Sequence, residues 1–261
     1  MYFFLILIVL LSIFPFYWMV VASTNKSIDI ITGRMWFGTY IIENFKTLLN
    51  QTTIIRSFWN SMRNSIIGTL SSLFVCSMAG YGFQIYRDKS KDRLMSILLL
   101  SMMVPFAAVI VPLYRMVTQA GLVNTTAAFV LPSVATAFLI FFFRQSAQGF
   151  PIELVQAARV DGMGEYGIFL RIFVPVMAPT FAAAAIVNFM AHWNDYMWPL
   201  IIQQSQNSRT LALLTAGLVD PYDTDYGELM LGVTIYTIPM LILFITQQRR
   251  FIAGVLGAVK N

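Results

Sequence analysis

Apolar residues run in six long stretches, interrupted by short polar segments. The stretches cover residues 1–22, 64–86, 94–114, 125–143, 172–194 and 229–248, and none contains Asp, Glu, Lys or Arg. Each is close to the 20 or so residues that an α-helix needs to cross the hydrocarbon core. Without water, their backbone polar groups are satisfied only as helices, because a barrel would need short alternating strands. Pro15, Pro105, Pro132, Pro179 and Pro239 fall inside the runs and predict kinks or local breaks. The pattern predicts an all-α membrane protein with six transmembrane helices in one transmembrane domain, 1–261. The run 1–22 lacks a basic leader and a clean cleavage site, so it reads as a retained first helix.

Two polar segments carry further pattern. Residues 43–59 place Phe45, Leu48, Leu49, Ile54, Ile55 and Phe58 at helical spacing and predict an amphipathic surface helix. Residues 203–228 hold Asp220, Pro221, Asp223 and Asp225 and read as an irregular loop.

Composition sharpens this reading. The 261 residues are 58% hydrophobic and 11% charged, where a soluble domain has about 25% charged residues. That contrast removes ordinary soluble enzymes from consideration. The single cysteine, Cys76, excludes a disulfide framework and a cysteine zinc site, and its apolar surroundings make it a packing residue. The net charge of +5 concerns orientation rather than nucleic acid. Arg87, Lys89, Lys91 and Arg93 follow the second run, Arg144, Arg159 and Arg171 follow the fourth, and Arg249, Arg250 and Lys260 follow the sixth. The remaining seven basic residues lie on the opposite side. The positive-inside rule therefore makes both termini cytoplasmic. The run 87–93 reads as a solvated cytoplasmic turn, with lipid-headgroup contact as the alternative.

The cytoplasmic segment 144–171 is long for a connector. Pro151 and Glu153 suit a helix start, Ile152, Val155, Ala158 and Arg159 recur at helical spacing, and Gly162 provides a stop. A short helix, a glycine turn and a second helix leading into the fifth span follow. Ala157 and Ala158 give the first helix a narrow face that another backbone can approach, so the device suits docking.

This segment resembles the EAA loop of ABC-importer permeases, with Gln156, Ala157, Ala158, Gly162, Ile172 and Pro175 on the pattern. The wider sugar-permease form, P-x-E-L-x-E-A-A-R-x-D-G, falls on residues 151–162. Gln156 stands where that motif has glutamate. The resemblance extends along nearly the whole chain, through Phe14 to Met19, Asn60 to Ser65, Ala79 to Phe83, Met103 to Pro105, the Leu131-Pro132 pair, the tryptophan-rich block His192 to Pro199, and Arg249 to Lys260. The nearest form is the inner six-span subunit of maltose-type importers.

The resemblance implies a type I ABC importer permease fold in the bacterial plasma (inner) membrane. It also implies a second permease, two nucleotide-binding ATPase subunits, an extracellular solute-binding protein and a sugar substrate. The chain carries no G-x-x-x-x-G-K-[ST] loop, so ATP and Mg would be held by the partner ATPases and this chain would have no catalytic residue. Glu153, Gln156, Ala157, Ala158, Asp161 and Gly162 are the expected ATPase-coupling residues, and the tail 249–261 would extend toward the same partners. Asn188, His192, Asn194, Met103 and Pro105 are candidates for the substrate pathway. The many Met and Phe residues read as lipid-facing or packing positions, with Met102, Met103 and Phe106 beside Pro105 as candidates for a gate. A lone His192 is a poor metal ligand set.

Three other readings compete. A permease for a non-sugar solute keeps the EAA loop. A secondary transporter would show repeats and membrane carboxylates, and neither is apparent. An intramembrane enzyme would need a catalytic constellation that the single, isolated histidine does not supply.

Overall fold

The structure, a computed structural model, describes residues 2–259, with the side chains of residue 51 and of residues 249–259 left outside the description. Every regular element among the described residues is helical. Three helices are long and apolar enough to cross a membrane: Tyr2–Ala22, Ile54–Ile85 and Tyr226–Gln248. Three bent helix pairs bring the possible spans to six. The chain divides into two compact units, one of Met1–Ser61 with Gln203–Ile242, the other of Met62–Ile202 with Leu243–Asn261.

The bends lie where proline interrupts an apolar run. Lys89–Ser101 and Phe106–Gln119 meet at 96° across Pro105. The proline has no N–H to continue the helix, and its ring disfavours the α region for the residue before it. Glu165–Val176 and Ala178–Trp193 meet at 82° around Met177, between Pro175 and Pro179. The fourth run bends by 51° between Thr126–Ser133 and Ala137–Gly149, after Pro132. Side-chain caps start several helices: Thr136 accepts from the Leu139 N–H, Asp88 from Ser90 and Lys91, and Thr125 from Ala128.

Within the first unit, polar side chains tie loops to helix ends. The Asn44 amide donates to the Ser23 and Asn25 carbonyls at 2.9 and 3.0 Å. The amphipathic helix expected over 43–59 is two elements. Ile41–Gln51 ends at Thr52, and Ile54 already opens the 32-residue helix Ile54–Ile85. Thr52 is extended (φ −133°, ψ 167°), a conformation that suits a β-branched residue and breaks the helix. The second span therefore begins ten residues before the apolar run that marks it.

The segment 203–228 also departs from an irregular loop. It contains the helix Leu211–Ala216, with Leu211, Ala212, Leu213, Leu214 and Thr215 all buried. Ser61 Oγ accepts from the Leu211 N–H at 2.7 Å, and the Asn60 amide donates to the Asn207 and Arg209 carbonyls. A buried six-residue helix needs such external partners, because its own ends leave most backbone groups unpaired.

The second unit has an aromatic core of Tyr81, Phe150, Ile168, Phe169 and Phe173, with Val155 and Ala158. A neighbouring cluster joins Leu73, Cys76, Met95, Leu139 and Phe143. Cys76 is fully buried there, as a packing residue should be.

Candidate functional site

The helix Ile152–Val160 follows Pro151, carries Glu153 in its first turn and Arg159 in its last, and so matches its dipole at both ends. It closes with a complete Schellman arrangement. The Gly162 N–H donates to the Arg159 carbonyl at 3.1 Å, and the Met163 N–H donates to the Ala158 carbonyl at 2.9 Å. Gly162 takes φ +77°, which costs a residue with a side chain about 1–2 kcal/mol. Met163 packs against the cluster that holds Ala158, the hydrophobic contact that accompanies this cap.

The helix has two faces. Val155 and Ala158 are buried against Ile168 and Phe169. Glu153, Gln156, Ala157 and Val160 form the exposed stripe, with Val160 89% exposed. The two alanines expected to share one docking face are thus divided. Successive helical positions differ by about 100°, so Ala157 points outward and Ala158 inward. Asp161 and Gly162 extend the exposed surface past the helix end.

A polar clamp fixes this helix to its surroundings. Arg159 Nε lies 2.7 Å from Glu165 Oε1, Tyr81 Oη donates to Glu165 Oε2 at 3.2 Å, and the Arg159 guanidinium sits 5.3 Å from the Tyr86 ring centre. Sequence spacing alone did not reveal this clamp, since Tyr81 and Glu165 are far apart in the chain. The bonded Arg159 guanidinium holds the Glu165 carboxyl below the usual carboxylate range. A depressed folded value contributes stability above the unfolded value, about pH 4.3 for glutamate, and that contribution is lost as pH falls through the lower folded value. Glu165→Gln should therefore lower the denaturation midpoint at pH 7, and the gap to wild type should close below about pH 4. An equal gap at pH 3 and pH 7, measured by thermal unfolding in detergent, would remove the ion pair as its cause.

The pathway candidates fall in two places. His192 is buried near the end of Ala178–Trp193. Its Nδ1 lies 2.8 Å from the Asn188 carbonyl, and its Nε2 lies 2.9 Å from Ser133 Oγ. A carbonyl only accepts, so Nδ1 carries the proton towards Asn188, while Nε2 pairs with a Ser133 hydroxyl that also lies 2.9 Å from the Val130 carbonyl. The Ser133 carbonyl in turn accepts from Ser72 Oγ at 2.9 Å. His192 thus joins Asn188 and Ser133 in a helix junction. The Asn188 Nδ2 is buried without a partner among the described residues. Asn194 is exposed just past the helix end. Met103 and Pro105 lie at the 96° bend, where Met102, Met103 and Phe106 are all exposed.

Residues 72–256 match the family described as binding-protein-dependent transport system inner membrane component. The chain belongs to that family. The permease is 46% identical over 250 residues to a lactose transport system permease protein of Rhizobium radiobacter, covering 96% of this chain and 92% of the relative. It is 36% identical to an arabinooligosaccharides transport system permease protein of Halalkalibacterium halodurans, covering 97% and 93%. It is 26% identical to an sn-glycerol-3-phosphate transport system permease protein of Brucella abortus, covering 98% and 95%. Its fold matches a chain in the crystal structure of a bacterial ABC transporter involved in the import of the acidic polysaccharide alginate. The TM-score is 0.84 at 16% identity, covering 95% of the permease and 94% of that chain. The permease therefore has the ABC-importer permease fold and is a transporter component of the inner membrane. The expected role of the tail 249–261 lies outside the residues whose side chains are described.

Proposed function

We propose that the permease carries a sugar or short oligosaccharide, pairs with a second permease, and is driven by two ATPase subunits that hold ATP and Mg. An extracellular solute-binding protein delivers the sugar, and both termini are cytoplasmic. The observation that carries the substrate class is the 46% identity to a lactose permease along almost the full length of both chains. In this reading the exposed stripe of Glu153, Gln156 and Ala157, with Asp161 and Gly162, docks on one ATPase subunit.

The clamp from Arg159 to Glu165 supports a rigid-body role, because the docked helix cannot swing without breaking its own packing. ATP-driven closure of the ATPase pair then biases two arrangements of the permease pair. Asn194 and the pair Met103 and Pro105 are exposed and line the route in this reading, whereas His192 is held with Asn188 and Ser133 inside a helix junction. Proteoliposomes with the ATPase subunits facing an ATP-loaded lumen and the solute-binding protein outside should concentrate labelled lactose, raffinose or arabinobiose, and should not when the ATPases are omitted. Uptake independent of the ATPases would sink the reading in favour of a secondary transporter.

A further inference from the structure

The unit formed by residues 1–61 and 203–242 contains a cavity of about 510 Å³. That size lies in the ~300–1,000 Å³ range of small-ligand sites. Leu214 and Glu228 are the buried residues of its lining, and Thr53, Gln206, Arg209 and Asp223 stand more exposed around them.

Glu228 is only 5% exposed, yet its Oε1 has no hydrogen-bond partner among the described residues. An unpaired buried carboxylate oxygen is costly, so a donor from outside the chain would stabilise it. Two of the three nearby acids, Asp225 and Asp220, are already engaged. Asp225 Oδ1 accepts from the Gly227 and Glu228 N–H groups and from the Ser27 hydroxyl. Asp220 Oδ1 accepts from the Tyr222 and Asp223 N–H groups. No hydrogen bond or ion pair among the described residues uses the Arg209 guanidinium, which lines the same cavity.

The mixture of groups selects the ligand. Among the described residues no three His, Cys, Asp or Glu side chains are grouped to hold a metal ion. An ammonium would answer Glu228 but would face Arg209 and leave its donors unused. A sugar hydroxyl both donates and accepts, so vicinal hydroxyls can give to Glu228 or Asp223 and receive from Arg209, Gln206 or Thr53.

We infer that this cavity is a subsite for sugar hydroxyl groups on the permease itself, with Glu228 as acceptor at its base and Arg209 as donor in its wall. The inference rests on the sugar-import reading and places the segment 203–228 on the extracellular side.

The complete importer in lipid nanodiscs, without its solute-binding protein, provides the test. Saturation-transfer NMR is recorded with lactose, raffinose and arabinobiose as probes, and with spermidine as a cationic control. At least one sugar should bind, and Arg209→Met and Glu228→Gln should each weaken that binding by about tenfold, the loss of one charge-assisted hydrogen bond. Arg209→Met changes an exposed side chain, so it keeps the test valid should Glu228→Gln fold poorly. No binding of any of the three sugars, or binding unchanged in both variants, overturns the subsite. If the complete importer still takes up one of those sugars in that case, the sugar-import reading survives alone. Spermidine that binds and is imported in place of every sugar overturns both.

Discussion

Replacing Gly162 with tryptophan should abolish sugar uptake, while Gly162→Ala should retain most of it. Both variants force a residue with a Cβ into φ +77°. That strain costs about 1–2 kcal/mol, against a total stability of about 5–15 kcal/mol for a typical domain. Strain alone therefore leaves the permease folded. A Cβ placed at Gly162 meets nothing within 4 Å of its own chain. An indole there projects into open space beside the stripe of Glu153, Gln156 and Ala157, where the proposed ATPase docks. The difference between the two variants isolates obstruction from strain. Uptake rate and co-purification of the ATPase subunits are the measurements. The tryptophan variant should lose at least about tenfold of both, equivalent to roughly 1.4 kcal/mol of docking energy. Equal uptake by the two variants would show that nothing approaches this turn. Ala158→Asp should also fail, but for a different reason. Ala158 packs inside the chain's own aromatic cluster, so a carboxylate there is a burial fault before it is a docking fault.

The contrast between Gly162 and Ala158 illustrates how much of the site was legible in the sequence. The helix start, its end and its glycine were legible because each is fixed by neighbours a few residues away. Pro151, Glu153 and Gly162 encode their own turn. Which alanine faces outward depends on Phe169 and Ile168 packing back onto the helix, and no local signal carries that. The same division holds along the chain. The first span was readable because its 21-residue helix is apolar from end to end. Prolines marked the breaks, but hydropathy has no direction, so bends of 96° and 82° were not readable. The helix Leu211–Ala216 was missed because six residues inside a polar segment are too few for a periodic signal. Thr210 before an apolar run was the available cue, since its side chain accepts from the Leu213 N–H. The cavity around Glu228 gathers residues from 52 to 228, and spacing says nothing about such a gathering.

Gly68→Leu should destabilise the permease by about 2–4 kcal/mol, the sum of overpacking and of one lost hydrogen bond. A Cβ on Gly68 would overlap Cδ2 and Nε2 of the His192 imidazole. A long side chain can usually swing away, but this ring has little freedom. It is buried, held by Asn188 on one nitrogen and by Ser133 on the other, and lies 5.9 Å from the Phe129 ring centre. Yielding to a leucine would break the Ser133 contact first, because Nε2 is the atom in the way. His192→Ala alone should also destabilise, through the lost hydrogen bonds and a cavity. The double variant is the informative one. With the imidazole gone, the leucine at position 68 occupies its space, so Gly68→Leu with His192→Ala should be more stable than Gly68→Leu alone. Denaturation midpoints in mixed micelles for the four proteins close the cycle. Strictly additive losses would mean that the two positions do not touch. A rescue would establish that His192, in a span rich in candidate pathway residues, serves first to set the distance between two helices, and that glycine at position 68 is what permits it.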